Sequence, residues 1–154
     1  MSEIDSKRGS NRREFIAGTT FGAAGFAQFC CMSPEAAAGS WSIEGGVLKI
    51  ALTRERGLQK VGEPRVVMDN GRKLNIIVVQ HDKGRWAALD RTCTHGGAMC
   101  AYQKRSRTIR CTSVNHAEFT LEGKLLHGRT HGDVRSYAVS KRQDWIEVVL
   151  ETKA

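Results

Sequence analysis

The chain has 154 residues, enough for one modest domain and a tail, and 40% of them are apolar. It carries 24 Lys and Arg against 16 Asp and Glu, and the whole excess lies in residues 40–154 because residues 1–39 are balanced in charge. This excess of positive charge favours an acidic partner or an anionic lipid surface. The basic residues are scattered and do not form the clustered stripe of a nucleic-acid-binding protein, so that class is excluded.

The first 39 residues have the layout of an export signal. A polar start ends in Arg12 and Arg13, residues 15–34 contain no charged side chain, and small residues follow at 36–38, so we expect cleavage after Ala38. The arginine pair resembles the twin-arginine signal, which exports proteins already folded around a cofactor. The alternatives are a tail with a chance arginine pair and a retained anchor, since about 17 residues is the lower limit for a membrane span. The sequence predicts a periplasmic location or one on the outer face of the cytoplasmic membrane.

From Ser40 onwards, short β-type runs are separated by turn residues, and no long helical period appears. The predicted strands are VLKIAL (47–52), PRVVMD (64–69), KLNIIVV (73–79), RWAALD (85–90), TIRCTS (108–113), EFTLEG (118–123), VRSYAVS (134–140) and WIEVVLE (145–151). Turns are predicted at 70–71, 82–84 and 122–123, and the first two should supply the positive φ angles of tight hairpins. The pattern predicts one all-β domain over residues 40–154, a small antiparallel sandwich or barrel.

Two loops in this pattern each combine a cysteine with a histidine. Cys93 and His95 lie in the first loop before two glycines, and Cys111 and His116 lie in the second. Thiolates mixed with imidazoles are ligands of an iron–sulfur cluster of raised potential, and glycines let the backbone turn tightly around it. The predicted domain has three cysteines, an odd number that disulfides alone do not explain in an exported protein. These four residues are therefore the candidate metal ligands.

The two loops resemble the Rieske iron–sulfur family, and the resemblance runs over residues 76–139. The first loop matches the family's C-x-H-x-G box, and Gly128 precedes Tyr137 and Val139 at the family's spacing for its third loop and closing strand. The resemblance implies a Rieske-like fold with a cluster-binding loop subdomain, a [2Fe–2S] cofactor and one-electron transfer. It also implies a ligand set with two residues on each iron, which are Cys93 and Cys111 on one and His95 and His116 on the other.

The second box departs from the family. The family has C-x-x-H, whereas this chain has Cys111-x4-His116, so its second loop is longer. His116 is the nearest histidine and precedes an apolar aromatic residue, as the family's ligand does. The alternative ligands are His127 and His131.

Two further departures concern the cover of the centre and its disulfide. Arg129 and Asp133 stand where the family's third loop usually has prolines, so a more polar and more mobile cover is expected. Ser113 stands in place of one cysteine of the disulfide that joins the loops in respiratory and photosynthetic members. We therefore expect Cys100 to be a free or buried thiol.

The resemblance implies an electron-transfer subunit that needs a redox partner. Exported members serve quinol-oxidising cytochrome complexes or arsenite oxidase-like enzymes. Members that serve aromatic-ring oxygenases also lack the disulfide, but they act in the cytosol, in conflict with the leader. The basic residues between the two boxes are predicted to lie on a hairpin near the cluster, where they could dock an acidic partner or form a solvated turn. They are Lys104, Arg105, Arg107 and Arg110.

The competing interpretation is a non-redox exported β domain that binds an acidic partner. In that case zinc, or a disulfide between Cys93 and Cys111, would stabilise the two loops. Two cysteines and two histidines can hold zinc, but the C-x-H spacing is tighter than the usual spacing of structural zinc sites.

Overall fold

The computed structural model describes residues 39–114 and 116–150, and these ranges form eleven β-strands and one short 3-10 helix. The strands are β1 (Trp41–Glu44), β2 (Val47–Ala51), β3 (Pro64–Asp69), β4 (Leu74–Asp82), β5 (Arg85–Asp90), β6 (Cys100–Gln103), β7 (Thr108–Cys111), β8 (Glu118–Phe119), β9 (Leu125–His127), β10 (Ser136–Arg142) and β11 (Trp145–Val149), and the helix spans Arg56–Gln59. The all-β prediction is confirmed.

Apart from Gly39, the predicted export signal lies outside the described residues. Within the described residues, no helix is long and apolar enough to cross a membrane.

The strands form two antiparallel sheets. The seven-stranded sheet has the order β1-β2-β11-β10-β5-β4-β3, and the four-stranded sheet has the order β6-β7-β8-β9. The larger sheet curls on itself, because residues of β2 and β11 share one core with residues of β3 and β4. The result is a curled antiparallel sheet with a smaller four-stranded sheet beside it.

Strand β4 connects the two cores of the domain. Ile76 and Val78 pack inside the curled sheet, whereas Ile77 and Val79 pack against the four-stranded sheet. Successive side chains of a strand point to opposite faces, so a strand buried on both faces is a nearly continuous apolar run. The sequence of β4 has this form, and its burial on both faces places it between the core inside the curled sheet and the core that contains the cysteines.

Eight strands were predicted in the right places, and three were missed. The missed strands are β1, β6 and β9, which have four, four and three residues. The largest error in length is at β8, which contains only Glu118 and Phe119 of the six residues predicted, and the predictions for β2, β7 and β11 each run one or two residues too far. The missed strands are short. Pairing with a neighbouring strand defines them more than any alternation of apolar and polar residues in their own sequence.

All three predicted turns are present, but the positive φ angle expected in the first lies at a different residue. Gly84 and Gly123 have φ angles of 75° and 87°. Gly71 does not have a positive φ, and Lys73 takes that conformation instead, with φ 52°. Asp69 accepts hydrogen bonds from the backbone N–H and the guanidinium of Arg72. The turn is therefore longer than the two-residue Asn-Gly hairpin, which explains the shift of the positive angle.

Candidate metal centre

The first cysteine loop leaves β5 and is closed by its own backbone. The N–H of Cys93 donates to the carbonyl of Ala98 at 2.7 Å, and the N–H of Gly97 donates to the carbonyl of Cys93 at 3.1 Å. Gly97 has φ 76°, a region that glycine adopts without strain. The glycines after the C-x-H motif thus make the tight turn that the sequence predicted.

The second cysteine loop begins at Cys111, where β7 ends. The N–H of Cys111 donates to the carbonyl of Ala117 at 2.7 Å and closes this loop. The N–H of Thr112 donates to the carbonyl of Met99 at 2.9 Å, which joins the second loop to the end of the first. The two loops therefore meet at one end of the β6–β7 hairpin.

Three sulfur atoms converge where the loops meet. The Sγ atoms of Cys93, Cys100 and Cys111 all lie within 4.8 Å of one another, and the three residues are 2%, 0% and 1% exposed. All three are free thiols, which confirms the expectation of a free, buried thiol at Cys100. Sequence reasoning did not place Cys100 in the centre, because its position there depends on the pairing of β6 with β7.

His95 lies against this group of sulfur atoms. Its Nδ1 atom is 2.8 Å from Cys93 Sγ and 3.8 Å from Cys111 Sγ. Its Nε2 atom is 3.0 Å from the hydroxyl of Ser113, which lies 3.1 Å from Cys111 Sγ. Three of the four predicted ligands are thus brought together. Ser113, noted in the sequence only for replacing a cysteine, contacts two of them.

The remaining histidines have different surroundings. His116 is exposed, has φ 44°, and donates its backbone N–H to the carbonyl of Ser113 at 3.1 Å. Across residues 39–114 and 116–150, His116 belongs to no group of close metal-ligating atoms. Nε2 of His127 lies 3.4 Å from Glu118 Oε2, and His131 lines a cavity of about 270 Å³ together with His95. His116 as the second histidine ligand, with His127 and His131 as its alternatives, therefore stays a prediction.

The third loop lies over the first two. Thr94 contacts the hydroxyl of Thr130 and donates to the carbonyl of Gly132 at 3.0 Å. A Cβ atom added at Gly128 would lie 2.5 Å from the Cα atom of Ala117, and Gly128 has φ 101°. Only glycine allows so close a backbone approach, and it positions the third loop beside the second.

The three thiols have different proton affinities. Burial raises the pKa of Cys93, and burial together with the neighbouring sulfur atoms raises the pKa of Cys100 to about 12. Burial also acts to raise the pKa of Cys111, but hydrogen bonds from Ser113 and from the other two thiols outweigh it, so this pKa is lowered. Cys111 is therefore the thiol that loses its proton most readily, and metal binding would deprotonate its partners.

The donor atoms suit an iron–sulfur centre. Iron–sulfur clusters are held by cysteine thiolates, with imidazoles replacing thiolates on one iron in the Rieske type. Buried thiols and one imidazole nitrogen already converge here from two loops that their own hydrogen bonds close. Three thiols and one imidazole are also a donor set that holds structural zinc.

The predicted basic hairpin exists, but its charged turn lies away from the thiols. Cys100 pairs with Cys111 at one end of the β6–β7 hairpin, and the turn at 104–107 is at the other. Four residues of extended chain span about 13 Å. The side chain of Lys104 packs over Gly62. The docking role of these residues stays a prediction, and a partner bound at the turn would contact the centre only if it also covered the hairpin.

Comparison with known proteins identifies the family. Residues 49–138 match the Rieske [2Fe-2S] domain. This match covers more than half of the chain, and the protein therefore belongs to the Rieske [2Fe–2S] family. No curated protein matches the chain.

Three solved structures illustrate the similarity. The cyanobacterial plasma membrane Rieske protein PetC3 from Synechocystis PCC 6803 is 26% identical, with a TM-score of 0.49 over 63% of this chain and 90% of that chain. The ferredoxin of carbazole 1,9a-dioxygenase from Nocardioides aromaticivorans IC177 is 23% identical, with a TM-score of 0.48 over 60% and 88%. The reduced complex between oxygenase and ferredoxin in carbazole 1,9a-dioxygenase matches at 19% identity and a TM-score of 0.52, over 68% of this chain and 28% of that chain. This last match shows the fold.

Family membership together with the convergent donors defines the general function. The chain is a Rieske-type electron carrier, and its cofactor is a [2Fe–2S] cluster. An electron carrier exchanges electrons with a donor and an acceptor, so the protein acts with a redox partner.

Proposed function

We propose that this protein is an exported one-electron transfer subunit that works in a redox complex on the outer side of the cytoplasmic membrane. The observation that carries the proposal is the convergence of Cys93, His95 and Cys111 on one buried position from two hydrogen-bonded loops. When bound, the cluster supplies a one-electron couple. The protein would carry electrons for a partner and would not turn over a substrate alone.

The residues of the chain have separate tasks in this proposal. Cys93 and Cys111 bind iron through their thiolates, and His95 binds through Nδ1, the nitrogen that faces the sulfur atoms. The Ser113 hydroxyl at 3.0 Å from His95 Nε2 fixes the orientation of the ring. The resemblance predicts His116 as the fourth ligand, and the proposed function requires only that one further side chain completes the set.

Access for a partner is proposed beside His95. The cavity of about 270 Å³ there is lined by Arg129, Thr130 and His131 of the third loop. Arg129 brings a positive charge to this opening, and the domain as a whole is basic. An acidic partner surface is therefore complementary to the face through which electrons would pass.

The leader supports the export part of the proposal. Residues 1–39 combine the Arg12–Arg13 pair with an uncharged segment and the small residues of a cleavage site. A route for folded proteins suits a cofactor held by buried thiols, since the cluster can be inserted before export. Quinol-oxidising and arsenite oxidase-like complexes are the proposed settings, with the leader as a membrane anchor if it is retained.

Two measurements test the proposal. The full chain should contain two iron and two sulfide ions, absorb visible light, and give a rhombic electron paramagnetic resonance (EPR) signal after reduction with dithionite. Zinc without iron would instead support the non-redox binding domain.

The second measurement is the location of the protein in fractionated cells. The unsubstituted chain should be periplasmic or membrane-bound, and the variant with Arg12→Lys and Arg13→Lys should stay in the cytoplasm with its cluster. Export of that variant at the normal level would contradict the twin-arginine route.

A further inference from the structure

We infer that Cys100 is the fourth protein ligand of the cluster, so that three thiolates and one imidazole hold it instead of two of each. This rests on the proposed function in that the chain must carry the cluster. A [2Fe–2S] cluster takes four protein ligands. The structure offers four such donor atoms. The sulfur atoms of Cys93, Cys100 and Cys111 lie within 4.8 Å of one another, and the Nδ1 atom of His95 lies 2.8 Å from the sulfur of Cys93 and 3.8 Å from that of Cys111.

The pairing of β6 with β7 places Cys100 beside Cys111. The two are Cα partners in the antiparallel register, yet the N–H of Cys100 donates to Arg91 and the N–H of Cys111 donates to Ala117. They therefore form a non-hydrogen-bonded pair, in which Cα atoms are about 4.5 Å apart and side chains approach most closely. Both side chains leave the hairpin on the same face, and that face is turned toward Cys93.

The separation of the sulfur atoms suits a shared metal. Two thiolates at about 2.3 Å from one tetrahedral metal lie about 3.8 Å apart. All three Sγ atoms of this centre lie within 4.8 Å of one another without any metal between them. A small adjustment of side-chain torsions would place two of them on one iron. The third would share the other iron with His95.

The predicted alternative, His116, lacks these contacts. It is exposed on the lengthened second loop and has φ 44°, and its backbone N–H is used in the turn at Ser113. In the same loop, the side chain that contacts both His95 and Cys111 is the hydroxyl of Ser113. Cys100, by contrast, is completely buried against the other two thiols.

The ligand set has an electronic consequence. Imidazoles in place of thiolates raise the potential of a Rieske centre, so one imidazole raises it less than two. A third thiolate also adds one negative charge, which disfavours reduction. We therefore expect a reduction potential below the range of two-histidine Rieske centres, which a redox titration followed by EPR measures.

The direct test counts the nitrogen atoms bound to iron. The full chain is produced with ¹⁵N-labelled histidine, reduced, and examined by pulsed EPR, which detects each coordinated nitrogen through its hyperfine coupling. One coordinated nitrogen is expected. Two coordinated nitrogens would overturn the inference and leave the proposed function intact, whereas a chain without iron and sulfide would overturn both.

Substitutions identify the residue. Cys100→Val keeps an apolar side chain in the core and should lose the cluster or change its g values, whereas His116→Ala should keep the spectrum of the unsubstituted chain. Val79→Ala is the matched control, because Val79 is fully buried in the same core and carries no ligand atom; it should keep the bound iron and the g values, even if the lines broaden. An unchanged spectrum in Cys100→Val, or its loss in His116→Ala alone, would overturn the inference. If both substitutions abolish the signal, the nitrogen count of the unsubstituted chain decides.

Discussion

The two sheets are held together by different means. In the seven-stranded sheet, strands such as β4 (Leu74–Asp82) and β10 (Ser136–Arg142) pair over long registers around a core of aliphatic side chains. In the four-stranded sheet, strands have two to four residues, and the core around Phe119 includes all three thiols. Regular burial therefore stabilises the larger sheet. The geometry of the metal centre depends on a few close backbone approaches and loop hydrogen bonds.

This difference predicts that substitutions in the two sheets have different consequences for the centre. A substitution in the larger sheet should lower stability and leave the cluster spectrum unchanged. A substitution that moves one of the three loops should alter the spectrum or the lifetime of the cluster as well.

The largest effect is expected at Gly128. Gly128→Ala would place a Cβ atom 2.5 Å from Ala117 Cα at φ 101° and displace the third loop from the second. We expect a loss of at least about 3 kcal/mol of stability and of most of the bound iron, measured by thermal unfolding followed by circular dichroism and by iron analysis.

Gly84→Ala is the control in the larger sheet. Gly84 also has a positive φ, of 75°, but an added Cβ would meet nothing within 4 Å. Its strain alone should cost about 1 kcal/mol, with the iron content unchanged. Equal loss of iron in both variants would mean that backbone strain anywhere in the domain disturbs the centre.

The next comparison uses one large core residue from each sheet. Phe119→Ala and Ile146→Ala both remove a completely buried side chain and should each cost about 3–4 kcal/mol. Phe119 packs in the core that contains the thiols, so its substitution should also change the EPR line shape. Ile146 packs inside the curled sheet, so its substitution should lower the melting temperature only. A changed line shape in Ile146→Ala would show that the two cores are not independent.

The success of the predictions from sequence also differs between the two sheets. The runs that became β4, β5 and β11 carry enough apolar residues at the strand period to be read directly, and the two Cys-His loops stand out by composition. β6, by contrast, is the short run CAYQ and becomes a strand only by pairing with β7. The position of Cys100 beside Cys111 follows from that register and could not be read from spacing. His116 is predicted from its neighbours in the chain, and that prediction stays open until the nitrogen atoms bound to iron are counted.

A smaller effect is expected from the hydrogen bonds of the third loop. Thr94→Val keeps the shape of the side chain and removes its hydrogen bonds to the Thr130 hydroxyl and the Gly132 carbonyl. The loss should be about 1 kcal/mol, and visible absorbance should decay faster in the presence of an iron chelator. Thr53→Val, at an exposed position after β2, is the control and should keep the normal decay rate. An unchanged decay in Thr94→Val would show that the third loop does not retain the cluster.

The smallest effect concerns two carboxylates, one beside each sheet. A hydrogen bond from Lys124 and one from the N–H of Leu125 lower the pKa of Asp133 below its ordinary value of 3.8, and hydrogen bonds from Arg72 lower that of Asp69 in the same way. A carboxyl group whose pKa is lower in the folded state stabilises the fold above the ordinary pKa. This contribution is lost as the pH falls through the lowered value.

Asp133→Asn and Asp69→Asn should therefore each lower the melting temperature slightly at pH 7, and the difference from the unsubstituted chain should disappear as the pH falls through the lowered pKa of each carboxyl group. At pH 7 only Asp133→Asn should also speed the loss of cluster to a chelator, because Asp133 accepts a hydrogen bond from Leu125 where β9 meets the third loop, whereas Asp69 orders the β3–β4 turn. Equal rates of cluster loss in the two variants would show that the third loop holds its position without Asp133, and the close approach of Gly128 to Ala117 would then be sufficient to keep the cover in place.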